Sequence, residues 1–241
     1  MTLRQRGLLD NCFTLSRTPL VNQQRSAVAA ILRKEILLLL RSREAVAAEL
    51  YFLVGAALVL TFAFPQQFDA TIQAGAIWVV FYFAAMLTVA RSYVIEQERG
   101  TLRYLMHVAP GDVVYWGKLL AGVLWLVIVG LIEYAVLMLV GLVPFRLGVA
   151  VVLVAGCIAI GGATSLLAAI VAAAQLRGWV FAAIAFPVVM PVFFVGVDAT
   201  ATVLAGSTAT AAASEVAVML LYVTIVAIVA WWLFPFIWSE A

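Results

Sequence analysis

Six long apolar runs, separated by short polar stretches, constrain this chain more than any other feature of its sequence. Each holds close to the ~20 apolar residues that an α-helix needs to cross about 30 Å of hydrocarbon. The runs are predicted at residues 49–64, 71–90, 116–143, 147–174, 179–197 and 214–238. Lipid offers no partner to an unpaired backbone group, and the two-residue alternation of a membrane barrel is absent, so each run is expected to be helical.

The composition places the chain in the same class. Hydrophobic residues make up 66% of its 241 residues and charged residues only 11%, whereas soluble domains carry roughly 25% charged residues. We therefore predict an all-α membrane protein with a single transmembrane domain over residues 25–241. Residues 1–24 have no clear hydrophobic period and are interpreted as a disordered N-terminal arm or a start-site extension. Cys12 and Cys157 offer neither a disulfide framework nor a metal-ligand spacing.

Residues 25–43 predict an N-terminal amphipathic helix. Polar groups recur every seven to eight residues, at Ser26, at Arg33 with Lys34, and at Arg41. This spacing is two helical turns, so the charges gather on one side of the helix. The apolar run inside this segment is far too short to span a bilayer. A basic helix lying in the cytoplasmic interface fits best, and the alternative is a plain charged lead-in to the first span.

The basic residues divide unequally between the two sides of the predicted spans. Thirteen of the fourteen lysines and arginines fall before span one, between spans two and three, or between spans four and five. Only Arg146 falls on the other side. The positive-inside rule then predicts a multi-pass protein of the cytoplasmic (inner) membrane with both termini in the cytoplasm. The outer connectors, residues 65–70, 144–146 and 198–213, hold no folded domain.

The segment 91–118 is the only long internal stretch that is too polar for a bilayer. Gly100 suits the left-handed close of one short helix, and Thr101 suits the N-cap of the next. A turn at Pro110 then leads to Asp112, which is placed to cap the helix that enters span three. The prediction is a compact cytoplasmic helix–break–helix, and the alternative is a solvated charged connector.

Several features inside the spans indicate packing or function. Glu133 lies in the middle of span three, where a charged acid costs about 2.5–3.5 kcal/mol on insertion scales. It is expected to face a cavity or partner, and the alternative is a packing hydrogen bond to a neighbouring helix. Pro187 and Pro191 lie on one side of span five and predict either a hinge or a bend that helps packing. Small residues in span four predict close helix approach: Gly156, Gly161, Gly162, Ala163 and Ser165.

A series of motifs along the chain resembles one known family. The motifs are Arg33-Lys34-Glu35, Arg41-Ser42-Arg43-Glu44, Glu96-Gln97-Glu98-Arg99-Gly100-Thr101-Leu102, Ala109-Pro110, Gly117-Lys118-Leu119 and Phe186-Pro187-Val188-Val189-Met190-Pro191. In this order, and with six spans, they are similar to the haem-exporter B-type permeases (the CcmB family) of the ATP-binding-cassette machinery for cytochrome c maturation. The resemblance runs from about Arg33 to Asp198. Residues 1–24 depart from the family pattern, and the last span matches in hydropathy alone.

The resemblance implies a permease subunit of the ABC-2-type exporter fold, which exports or handles haem for c-type cytochrome biogenesis. A separate ABC ATPase, expected in two copies, would dock on the 91–118 loop through the short cytoplasmic coupling helix. The coupling residues implied are Glu96, Glu98, Gly100, Thr101 and Leu102, with a weaker second contact at Arg177. The other implied partners are a haem-handling C-type membrane subunit, a small membrane subunit and, through them, a haem chaperone.

The sequence itself lacks a nucleotide-binding loop of the G-x-x-x-x-G-K-[ST] type. Lys118 follows a glycine, but Leu119 comes next and Asp112 stands where the first glycine belongs. ATP hydrolysis is therefore expected in a partner chain. An intramembrane enzyme would need a nucleophile and a base at one depth, yet His107 lies on the predicted loop and Glu133 has no second acid within a span. The open alternative is a permease of the same fold that exports a lipid, glycan or drug.

No covalently bound cofactor, metal site or nucleic-acid partner is predicted, and the chain's surroundings are the lipid bilayer. Haem is expected only as substrate or through partner subunits, and ATP only through the ATPase. His107 is the single histidine. A lone histidine near a turn is more typical of an unliganded surface residue than of an axial haem ligand. The haem-binding residues are therefore left unassigned.

Overall fold

The computed structural model describes residues 20–63, 69–98, 110–173, 178–207 and 209–240. Within them the chain forms seven α-helices and one 3₁₀ turn. The helices are α1 (Leu20–Arg41), α2 (Arg43–Ala63), α3 (Ala70–Glu98), α4 (Gly111–Leu139), α5 (Leu147–Ala173), α6 (Gly178–Leu204) and α7 (Ala213–Glu240), and the 3₁₀ turn is Ala209–Ala212. Helices α2 to α7 are each long and apolar enough to cross a membrane. The prediction of an all-α protein with six spans is confirmed.

Helix α5 lies at the centre of the bundle. It packs against α3, α4, α6 and α7, and 72% of its apolar window is buried, compared with 17% for α2 and 11% for α7. Glycines allow this close packing: a Cβ added to Gly161 would lie 2.7 Å from Val123 of α4, and one added to Gly162 would lie 2.7 Å from Val223 of α7. These contacts confirm the close helix approach predicted from the small residues of span four.

The indole of Trp78 in α3 joins three helices. The side chain is fully buried and lies against Gly156 of α5 and Gly196 of α6, where a Cβ added to either glycine would overlap the ring. Its Nε1–H donates a hydrogen bond to Oγ1 of Thr200, 2.9 Å away and one turn beyond Gly196. The edge of the Phe193 ring approaches the same indole, with 6.4 Å between ring centroids. The ring therefore fills a socket that only glycine on both walls leaves open.

Span five is longer than the sequence predicts. The predicted end at residue 197 is wrong, because α6 continues to Leu204, and the outer connector predicted at 198–213 is correspondingly shorter. Asp198 is exposed and so does not interrupt the helix, while Thr200 and Val203 in the same turns are buried. The helix ends at Leu204, and the turn that follows it contains Gly206, whose φ of +96° suits glycine.

The first two helices are separated by a single residue. Helix α1 begins at Leu20, ahead of the predicted start at residue 25, and Ser42 alone divides α1 from α2. The Ser42 hydroxyl donates to the carbonyl oxygen of Leu39 at 2.7 Å. Its own carbonyl oxygen accepts the backbone N–H of Ala45 at 3.0 Å and of Val46 at 3.1 Å. Ser42 thus closes one helix and opens the next.

The Trp78 socket gives a direct test of the packing. We expect Gly156→Ala and Gly196→Ala each to lower the free energy of unfolding by about 1–3 kcal/mol, because the added methyl group meets a ring that cannot move. The measurement is thermal or denaturant unfolding of the purified protein in detergent.

Gly75→Ala, also in a transmembrane helix, is the matched control, because nothing lies within 4 Å of its added Cβ. It should be neutral or stabilising by up to about 1 kcal/mol. Trp78→Phe combined with Gly196→Ala should recover part of the loss. Equal unfolding temperatures for all three glycine variants would contradict the socket.

Candidate functional site

The predicted ATPase-docking segment is bounded by two helices. Helix α3 has 29 residues and is about 43 Å long at 1.5 Å per residue, which exceeds the ~30 Å hydrocarbon core. The apolar run of its sequence ends at Ala90, where Arg91 follows, and the helix continues to Glu98, so the excess length lies at the C-terminal end. Glu96 and Glu98 occupy the last turn of that end. The geometry places the backbone of these two predicted coupling residues beyond the apolar zone.

The remaining predicted coupling residues lie outside the described part of the chain. They are Gly100, Thr101, Leu102 and Arg177. The same is true of His107. Their predicted roles stay predictions, and so do the break at Gly100 and the short helix after it. The part of the predicted helix–break–helix (91–118) that precedes Gly100 is helical to Glu98 and is continuous with α3.

Helix α4 begins earlier than the predicted third span and changes two expectations. The N-cap is Pro110, with φ of −58° and ψ of 142°, and no side chain caps the helix. The prediction that Asp112 is the N-cap is therefore wrong, since Asp112 lies in the first turn, where its charge favours the helix dipole. The predicted loop 91–118 is also too long. Lys118 belongs to α4 and is 2% exposed.

The start of α4 packs against α1. Ile31 of α1 forms a buried apolar cluster with Val113 and Val114. Gly117 allows the two backbones to approach, because a Cβ there would lie 2.6 Å from Cγ2 of Ile31. The predicted amphipathic helix therefore has a defined buried face, and that face lies on the end of α4 that directly follows the docking segment.

A buried ion pair lies one turn further along α1. Nζ of Lys118 donates a hydrogen bond to Oε1 of Glu35 at 3.0 Å, and the two side chains are 1% and 7% exposed. Nζ of Lys34 lies 3.0 Å from the same oxygen but is 39% exposed. Removing two charges from water costs about as much as their attraction returns. The pair thus adds little net stability, although deleting one member alone typically costs about 3–5 kcal/mol.

A second carboxylate holds α2 against the same helix. Nε1 of Trp125 in α4 donates to Oε2 of Glu49 at 3.0 Å, and this hydrogen bond is buried. Glu35 lies seven residues before Ser42, and Glu49 lies seven residues after it. On α4, their partners Lys118 and Trp125 are seven residues apart. Seven residues are close to two helical turns, so both partners lie on one face of α4. We refer to these two contacts as the carboxylate pairs.

A small cleft lies at the junction of α1 and α2. Ser42, Glu49, Leu87 and Trp125 are among its lining residues, and its volume is about 30 Å³. That space holds one water molecule. The cleft is far too small to bind haem.

Sequence reasoning did not identify the carboxylate pairs. It named Glu35 and Lys118 only as parts of two separate motifs, and it did not single out Glu49 or Trp125. One signal was present: Glu35 and Glu49 each follow apolar or small residues at helical spacing, on faces that would otherwise be apolar. An acid on such a face requires a partner. The identity of that partner could not be deduced from the sequence.

Glu133 lies within α4, as the sequence predicts. It is 1% exposed and comes one turn after Gly130, on the face that packs against Phe81 of α3 and Cys157 of α5. Among the described residues, neither carboxylate oxygen has a hydrogen-bond partner. By strict hydrogen-bond geometry the packing hydrogen bond to a neighbouring helix is not formed among the described residues, although the backbone of Phe81 in α3 lies close to the carboxyl group. Burying an unpaired polar group costs about 1–3 kcal/mol.

Pro187 and Pro191 lie within α6, which is helical on both sides of them. Both are exposed, whereas Val189 and Val192 on the opposite face are buried. Each proline removes one backbone donor from the helix. Next to them, the carbonyl oxygen of Val188 accepts a hydrogen bond from the Tyr222 hydroxyl of α7 at 2.7 Å. This contact ties the paired-proline turn to the last helix, and the hinge role stays a prediction.

Comparison with known proteins gives one family. The family model described as CcmB protein matches residues 26–241, which is nearly the whole chain. No curated protein matches the chain. The match includes α1 from Ser26 onward, both carboxylate pairs, Glu133 and the paired prolines.

Glu133 generates a prediction about stability. We expect Glu133→Met to raise the free energy of unfolding by about 1–3 kcal/mol, because it removes a buried polar group that lacks a described partner. At this chain length that is roughly 2–4 °C in unfolding temperature for each kcal/mol. Unfolding would be followed by intrinsic tryptophan fluorescence in detergent.

Glu44→Met serves as the control, since Glu44 is exposed in the first turn of α2, and it should change stability by less than about 0.5 kcal/mol. A clear loss of stability in Glu133→Met would mean that the carboxylate has a partner outside the described residues. It would contradict the prediction.

Proposed function

The chain belongs to the CcmB protein family, and from this premise we propose that a separate ABC ATPase subunit docks on the cytoplasmic segment between α3 and α4 and drives it. As a member of this family, the protein is a multi-pass membrane permease component of a haem-exporter ABC system. It is a transporter subunit that works in a complex with other subunits.

The observation that carries the docking proposal is the overhang of α3. The last two turns of this helix extend past the apolar run that ends at Ala90 and bring the backbone of Glu96 and Glu98 to the side of the protein where α4 begins. Both flanking helices are firmly held. Trp78 anchors α3 in the bundle, and the carboxylate pairs anchor α4. A segment between two anchored helices is suited to transmit a push from a soluble partner.

Two properties of the chain support an external motor. Its sequence has no phosphate-binding loop of the G-x-x-x-x-G-K-[ST] type. The positive-inside distribution of lysine and arginine supports an orientation with the segment between α3 and α4, together with both termini, on the cytoplasmic side, where ATP is available. ATP hydrolysis in this proposal belongs to two copies of the ATPase in the inner-membrane complex.

The proposal extends to the substrate and the other subunits. Haem is handled for the assembly of c-type cytochromes, with a haem-handling C-type membrane subunit, a small membrane subunit and a haem chaperone as partners. The cleft of about 30 Å³ at the α1–α2 junction cannot hold haem. In this proposal, contact with haem belongs to partner subunits or to a surface shared with them.

The docking role predicts that function can be lost without loss of folding. We expect Glu98→Ala and Gly100→Val to insert and fold normally but to reduce ATPase capture and ATP turnover in the purified complex by at least fivefold. A lost charge-assisted contact contributes about 1.5–3 kcal/mol, which corresponds to roughly ten- to a hundredfold in affinity. Pull-down of the ATPase subunit and phosphate release measure the two effects.

Glu44→Ala is the matched control, because Glu44 is an exposed acid on the same predicted side of the membrane but outside the segment. It should leave both measurements unchanged. Wild-type capture and turnover in Glu98→Ala and Gly100→Val would remove the segment from its assigned role.

A further inference from the structure

We propose that Glu35 and Lys118 are positioning residues, whose buried ion pair fixes the register of α1 on α4 so that the two helices move as one body when the ATPase acts. This inference rests on the proposed function for its mechanical role. Its geometric part, the fixed register, stands on the described residues alone.

The contact has the properties of a register lock. Ile31 and Glu35 are one turn apart on α1, and Gly117 and Lys118 are adjacent on α4, so the apolar contact and the ion pair form a single patch. The apolar part already favours this alignment, because Ile31 packs over Gly117, where no Cβ would fit. The ion pair makes it strict, because a shift by one residue sets Lys118, 1% exposed, against Ile36 or the like-charged Lys34.

The energy of a buried ion pair also favours a role in alignment. Apolar residues could fill this space without desolvating two charges, so the pair is not needed for stability as such. What a buried ion pair provides instead is a single allowed alignment, as polar residues do at helix–helix seams. A second polar contact has the same effect on the next helix: the hydrogen bond from Trp125 to Glu49 fixes α2 on the same face of α4. The N-terminal helices thereby become a rigid attachment to the end of α4 that follows the docking segment.

The test replaces the pair with apolar residues of similar size, Glu35→Leu with Lys118→Met. Its unfolding temperature should equal or exceed that of the wild type, because such replacements are neutral or stabilising. ATPase capture should be unchanged, while ATP turnover of the complex in lipid nanodiscs should fall at least fivefold. The charge exchange, Glu35→Lys with Lys118→Glu, should recover most of the turnover. If the pair served stability alone, ATP turnover would fall only in variants whose unfolding temperature also falls.

A second readout does not depend on the ATPase. Spin labels would be placed at Ala29 of α1 and Leu120 of α4, both exposed, in a Cys12→Ser background, since Cys157 is buried. We expect one narrow distance distribution in the wild type and the charge exchange, and a broad or shifted one in the apolar variant. If the wild type captures no ATPase, the proposed function fails, and the distances alone decide the register lock.

Two results would overturn the inference. One is an apolar variant with wild-type turnover in a complex that captures the ATPase normally. The other is an unchanged distance distribution in that variant, which would show that packing alone sets the register.

Discussion

A polar group inside this bundle must be paired by the protein, because the surrounding lipid has no donors or acceptors to offer. The chain meets this requirement with bonds that cross between helices. The indole of Trp78 in α3 donates to Thr200 of α6, and the hydroxyl of Tyr222 in α7 donates to the backbone of Val188 in α6. Each bond satisfies a buried or half-buried group and also specifies which helices are neighbours. An apolar interface specifies neighbours less sharply, because hydrocarbon packs almost as well against lipid as against protein.

These bonds occur near both ends of the bundle. Toward the start of α4 Lys118 bonds Glu35 of α1, and at the middle of α4 Trp125 bonds Glu49 of α2. Near its other end the hydroxyl of Tyr134 accepts the backbone N–H of Arg146 at 2.7 Å and lies 3.1 Å from the carbonyl oxygen of Pro144. Helix α4 is therefore held at its two extremities by different partners. Glu133, next to Tyr134, departs from this pattern, since its carboxylate oxygens are buried without a hydrogen-bond partner among the described residues.

The sequence predicts the parts of this structure that depend on one helix at a time. The length of an apolar run is set by the thickness of hydrocarbon, so the number and order of the spans could be predicted. The ends of spans are harder to predict, because the side chain of a polar residue near an end can face outward or turn into the bundle. Asp198 faces outward and lets the helix continue, and Lys118 turns inward to an acid. The orientation depends on whether a partner is present elsewhere in the bundle. For Lys118 that partner is Glu35, which is 83 residues away in sequence. The candidate site shows the same division: the overhang of α3 follows from helix length, whereas the carboxylate pairs require the assembled bundle.

Ser42 has a consequence for how the chain can change in length. It is the only residue between α1 and α2, and Glu35 and Glu49 are measured off from it by equal spacings. An extra residue on either side would rotate one carboxylate by about 100° around its helix axis and shift it by about 1.5 Å. One acid would then meet its partner on α4 while the other faced away. We expect this stretch to accept exchanges of side chains far more readily than insertions or deletions. Its length sets the positions of both carboxylates relative to their partners on α4.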